Sequence, residues 1–99
     1  MWHILIITKD YDRVFEKINK YITPKWHTKY ESQFKTDLLS ITVLHIRPSE
    51  NLRGFKADLI YVDEELYDNL KIRNELLIPM APRGKVLPIK YLYQKLDIS

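Results

Sequence analysis

Asp63, Glu64 and Glu65 follow directly on the apolar run 59–62, Leu-Ile-Tyr-Val. A buried strand that ends in acids delivers them to the carboxyl rim of an open α/β sheet, where such sheets bind ligands. Two adjacent carboxylates at that rim can hold Mg²⁺ and orient a water for attack on a phosphoryl group. A purely local account competes with this chemistry, because acids in the first turn of a helix are stabilised by its dipole.

Phosphoryl chemistry needs a second component. A loop of the form G-x-x-x-x-G-K-[ST] uses closely approaching backbone amides to cradle the phosphates. The chain holds only two glycines, Gly54 and Gly84, and neither begins that pattern. Without the cradle the main positioning and electrostatic contributions to phosphoryl transfer are missing. The chain alone is therefore expected not to be an enzyme and to need no cofactor, with Mg²⁺ relevant only if the acids still bind it.

Other groupings carry weaker signals. Residues 25–30 alternate cations with aromatics, and Lys25, Trp26 and Lys29 could stack bases and neutralise phosphates. The plainer expectation is that Trp26 packs on a helix while the lysines stay solvated. Arg47, Arg53 and Lys56 are further candidates for anion or nucleic-acid contacts, and Arg47 would approach Asp63 if their strands are parallel. His3, His27 and His45 have no metal-ligand spacing, and with no cysteine present neither a metal site nor a disulfide is expected. His3 and His45 read as core or interface residues. The serines stand in no nucleophile-elbow context. Seven tyrosines are many for 99 residues, and Tyr91 and Tyr93 are candidates for a protein interface, where tyrosine is enriched.

These residues must be positioned by a small fold. Ninety-nine residues fit a single domain, 1–99, and an apolar fraction of 45% beside 29% charged residues is that of a globular protein. Residues 3–8 predict a covered strand. Asp10 would cap a helix with Val14, Phe15, Ile18, Tyr21 and Ile22 on its inner face, ended by Thr23-Pro24. Residues 25–37 fit helix, irregular structure or an edge strand. Residues 38–46 and 57–62 predict strands. A helix over 64–78 would bury Leu66, Leu70 and Leu77 and stop at Pro79. Residues 86–93 predict a last strand, edge or bulged because of Pro88. The fold class is α/β: a small, mainly parallel sheet of four to five strands with two amphipathic helices. The apolar run at 4–7 is too short for a signal core or a membrane span, so a cytoplasmic location is expected. The net charge of +3 permits an acidic partner without demanding one.

In this order of elements the chain resembles the ATPase domain of phage terminase large subunits, the motors that package viral DNA. The resemblance rests on Leu52-Arg53-Gly54 followed by Asp58-Leu59-Ile60-Tyr61-Val62-Asp63-Glu64, which is similar to that family's Walker B region. It implies a P-loop-NTPase-like remnant that lacks the phosphate loop. It also implies that Asp63 would coordinate Mg²⁺ through a water, that Glu64 would activate the attacking water, and that Arg53 would lie near the nucleotide face. The expected function is a small non-catalytic interaction protein, phage-encoded and working in the host cytoplasm, that binds a host protein or a second copy of itself as a homodimer. Alternatives are a nucleic-acid-binding accessory protein and a degenerate nucleotide- or Mg²⁺-binding domain completed by another chain. No membrane partner is expected.

Overall fold

The computed structural model describes residues 1–45 and 56–97. Six strands form one sheet: β1 (Trp2–Thr8), β2 (Pro24–His27), β3 (Glu31–Lys35), β4 (Leu39–His45), β5 (Leu59–Val62) and β6 (Lys85–Pro88). The sheet order is β2-β3-β4-β1-β5-β6. β4, β1, β5 and β6 run parallel, while β2 and β3 add an antiparallel ribbon at one edge. The protein is thus α/β, with a mixed sheet one strand larger than expected. Among the described residues no helix is long and apolar enough to cross a membrane.

Two apolar layers flank the sheet. On the front, Ile6, Phe34, Ile41, Val43 and Tyr61 pack against α1 (Tyr11–Asn19) and α5 (Lys90–Leu96). On the back, Leu5, Ile7, Leu44, Ile60 and Val62 pack against Leu77, Met80 and Ala81, at the end of a broken helical segment. That segment comprises α2 (Glu64–Asp68), α3 (Leu70–Ile72), a π-helical turn (Arg73–Leu77) and α4 (Ile78–Met80). Each aliphatic side chain fully buried in these layers contributes about 1.5–3 kcal/mol. Alternation along β1 explains the division: Ile4 and Ile6 face forward, Leu5 and Ile7 face back.

Several elements differ from the sequence expectation. Residues 25–37 form most of the β2–β3 hairpin, with Ser32 and Phe34 buried and Lys35 exposed. The first helix ends at Asn19, before Thr23-Pro24, so Tyr21 lies outside it and is 76% exposed. The expected single helix 64–78 breaks at Asn69, which takes an extended backbone (φ −78°, ψ 99°) and accepts a hydrogen bond from the Ile72 N–H at 3.1 Å. Leu70 follows the break and is 60% exposed rather than inward. Pro79 does not stop the chain's helical course. It sits at the start of α4, behind a π turn whose wider winding relieves the clash between a proline ring and the carbonyl four residues earlier.

Of the expected last strand, 86–93, only residues 86–88 are extended, in β6. Ile89 then opens α5, which places Tyr91 and Tyr93 on a helix. Lys85 and Ile89 donate their N–H groups to Asp58 and Val62 of the neighbouring segment, at 3.3 and 2.7 Å. Alternation turns the Val86 and Pro88 nitrogens away from β5, so the missing N–H of Pro88 costs the ladder nothing.

Gly84 fits a close approach between chains. A Cβ there would fall 1.8 Å from the Asp58 carbonyl oxygen. Asp58 fastens this end of the sheet, accepting from the His3 N–H through its carboxylate and donating its own N–H to the His3 carbonyl, both at 2.8 Å. His3 itself is exposed, not a core residue, because its side chain lies on a polar part of the back face. His45 is half-buried at the end of β4, its ring 5.9 Å from that of Tyr30.

Candidate functional site: the acid rim between β1 and β5

β1 and β5 are parallel neighbours whose outgoing chains leave toward opposite faces, β1 into α1 on the front and β5 into α2 on the back. The crevice between such diverging connections is where open α/β sheets place ligands. The turn Thr8-Lys9-Asp10 meets Asp63-Glu64-Glu65 there. A cleft of about 470 Å³ lies over the meeting point, lined by Lys9, Asp10, Asp63, Glu64 and Glu65 together with Ile89, Lys90 and Tyr93, while Thr8 is buried. The sequence pointed to Asp63 and Glu64 but missed Thr8, Lys9 and Asp10. The available signal was that both triplets end apolar runs that pair as parallel strands.

Within the cleft most polar groups are engaged by one another. The Thr8 hydroxyl donates to Asp63 Oδ1 at 2.8 Å, and the Lys9 backbone N–H donates to Asp63 Oδ2 at 2.9 Å. Asp63 stands at the N-cap position of α2 but makes no side-chain cap bond. Its carboxylate reaches across to the neighbouring strand instead. The Lys9 ammonium is held by both carboxylate oxygens of Glu65, at 2.6 and 2.5 Å. That bond raises the lysine pKa above its ordinary value. Both partners are more than half exposed, so the pair adds little to stability. The Tyr93 hydroxyl donates to Asp10 Oδ2 at 2.9 Å. Burial first, and then that bond to a carboxylate, push the tyrosine up to about 12. Glu64 is exposed.

The lining carries four carboxylates against the ammonium groups of Lys9 and Lys90, so the cleft favours cations and disfavours a polyphosphate. Among the described residues no group of three or more His, Asp or Glu side chains converges as a metal site. Gly84 lies at the opposite, amino end of β6 against Asp58, where its lack of a side chain serves strand packing.

The remaining sequence candidates are scattered. Arg47, Arg53 and Gly54 lie outside the described residues. Lys25, Trp26 and Lys29 sit on the β2–β3 hairpin, all exposed. Trp26 does not pack on α1 as the plainer expectation had it. His27 does, its ring 5.0 Å from that of Phe15. Lys56 is at the entry to β5, remote from that hairpin in sequence but lining one cleft with its Gln33 and Lys35, and its ammonium is 3.3 Å from the Pro79 carbonyl. Tyr91 is exposed beside a second cleft of about 410 Å³ with Tyr61, Tyr67, Lys90 and Lys95, whereas Tyr93 belongs to the acid rim.

No family model matches the chain, and no curated protein matches it. Solved structures do. A large terminase from a thermophilic bacteriophage superimposes with a TM-score of 0.57 at 11% identity, over 97% of this chain and 30% of that one. At this identity the likeness is one of fold: the chain has the α/β arrangement of a part of that terminase, and spans less than a third of its length.

Proposed function

We propose that the chain is a non-catalytic binding domain built on a terminase-type sheet, in which the acid rim serves as a latch between β1 and β5. One observation carries this reading. Both carboxylate oxygens of Asp63 are bonded to the end of β1, by the Thr8 hydroxyl and the Lys9 amide. A carboxylate committed in this way organises the fold, and a metal or its water would have to compete with two short hydrogen bonds. The sequence supplies no amide cradle for a triphosphate, and the rim's charge opposes one. On this reading the chain is a phage-encoded domain acting in the host cytoplasm, and its partner is a macromolecule rather than a nucleotide because the rim's charge disfavours a polyphosphate.

The test is a melting series with and without Mg-ATP, paired with a phosphate-release assay. The expected result is no nucleotide-dependent shift, no turnover, and a lower melting temperature for Asp63→Ala. A ligand that binds only the folded state must raise that temperature. Turnover by the purified chain that vanishes in Asp63→Ala would overturn the reading.

The partner expected from the sequence is a protein, from the host or a second copy. Of its two proposed contact residues, Tyr91 is available and Tyr93 is engaged with Asp10. A second reading, a nucleic-acid accessory role, is favoured by the 50% exposure of Trp26 on a hairpin that also carries Lys25 and Lys29.

A further inference from the structure

The back face of the sheet is divided. Over β1, β5 and the carboxyl end of β4 it is apolar and covered by Leu77, Met80 and Ala81. Across β2, β3 and the first half of β4 it is polar. Trp26 pairs with Gln33, and Gln33 with Thr42, so these three side chains share one row. Lys35 pairs with Ser40, and Ser40 with His3, making the next row. None of these six residues belongs to either apolar layer. Five of them, all but Trp26, line a cleft of about 150 Å³ together with Ile4, Leu5, Lys56 and Ala57.

We propose that this face binds single-stranded nucleic acid, with Trp26 as the stacking platform and Lys35 and Lys56 as phosphate contacts. This deepens the reading of the chain as a binding domain by naming the class of its partner. Trp26 pairs with Gln33 in β2, just after a register shift between Pro24 and Trp26, and is half exposed, so it presents a flat π-surface to solvent. Stacking on such a surface accepts any unpaired base, while the stacked pairs of a duplex have no free face to offer. Lys35 and Lys56 are exposed, and Lys25 and Lys29 extend the positive charge along the hairpin. Glu31 lies on this face at the far end opposite Leu44, and the Asp58 carboxylate, which accepts from the His3 N–H, stands beside the His3 row. Gln33, half-buried, supplies a donor and an acceptor between the aromatic and the cations, while Ser40 and Thr42 are buried. The composition opposes a protein partner here. Protein interfaces have apolar centres depleted in lysine, whereas Lys35 and Lys56 line the central cleft of this face beside Gln33.

The test uses the full chain carrying Trp2→Phe, which leaves Trp26 as the only tryptophan. Trp2 pairs with Leu39 on the opposite face, so its loss leaves the proposed site intact. A fluorescein-labelled oligothymidylate of about 20 nucleotides is titrated at about 50 mM salt, reading anisotropy and indole emission together. The expected result is saturable binding that quenches Trp26 and weakens as salt rises, with a log–log slope near −2 for about three phosphates. In the native background, Trp26→Ala and Lys35→Glu should each weaken binding about tenfold while the melting curve stays unchanged. Tyr91→Ala and Lys95→Glu, in the cleft beside α5, should leave it unchanged.

Absence of binding, a preference for duplex, or equal loss from the Tyr91 and Lys95 variants would each overturn the assignment. So would undiminished binding by Trp26→Ala. Nucleotide turnover would overturn the latch reading without altering this assay, so the two failures are separable.

Discussion

The rim between β1 and β5 and the back face of β2–β4 put similar groups to opposite use. At the rim, the parallel strands bring Thr8, Lys9 and Asp10 against Asp63 and Glu65, and charge meets charge within the fold. On the back face, Trp26, Gln33 and Lys35 point from a ribbon whose other side is buried against α1. The contrast follows from sheet architecture. Parallel strands are covered on both faces, so polar groups survive only at strand ends, where neighbouring ends can bond them. An antiparallel ribbon with one covered face presents every second side chain to solvent. A chemically suggestive motif at a crowded rim can therefore be structural, while residues without any motif form the accessible surface.

The strongest way to break this comparison is to separate the ribbon from the sheet. Phe34 is fully buried and joins β3 to Val14 and Ile18 of α1. Phe34→Ala should cost about 4 kcal/mol. Urea denaturation measures the loss, and hydrogen exchange should show β2 and β3 losing protection before β1 and β5 do. Uniform loss of protection across all six strands would show that the two halves are not distinct.

Next in size is a probe of the parallel half. A methyl group at position 84 would collide with the Asp58 carbonyl oxygen, which is backbone and cannot swing aside. Gly84→Ala should cost about 3 kcal/mol, at the upper end of overpacking. Denaturation indistinguishable from that of the unaltered chain would mean that the β5–β6 approach is looser than described.

Asp63→Ala sharpens the comparison more directly. It removes two hydrogen bonds to a carboxylate at a half-buried position and should cost about 2 kcal/mol. Glu64→Ala, one residue on and exposed, should stay within about 0.5 kcal/mol. Equal effects of the two substitutions would place the rim's role elsewhere than in the latch.

What could be read from the sequence follows the same division. β1 and β5 announce themselves through continuous apolar runs and β4 through alternation, and the position of Asp63 at the rim follows from β5 alone. Its role could not be read, since the latch joins Thr8 to a residue 55 positions away. The hairpin stayed open among alternatives because Ser32 and Phe34 alone mark its buried side. Residues 86–93 read as a strand although half of them are helical, because their apolar residues suit two periods. Ile89, Leu92, Tyr93 and Leu96 recur at helical spacing, and the proline that suggested a bulged strand lies just before the helix begins. The polar back-face rows depend on cross-strand register, which no local pattern encodes.

The smallest expected effect concerns the contact that Tyr93 of α5 makes with the rim. Tyr93 is raised from its ordinary value of 10.0 to about 12 in the folded protein, by burial and by its bond to Asp10. A tyrosine that holds its proton more tightly when folded stabilises the fold fully below about pH 10. That contribution is lost as pH rises through about 12, because the unfolded chain releases the proton first. The hydroxyl borders a cleft open to solvent, so the contribution is about 1 kcal/mol once screening is allowed for. Tyr11 and Lys9 are raised too and add to the decline in the same alkaline direction. Stability measured between pH 9 and pH 11 should therefore fall, and fall less steeply in Tyr93→Phe. A slope unchanged by that substitution would detach Tyr93 from the rim's hydrogen-bond network, leaving the latch to Thr8, Lys9 and Asp63.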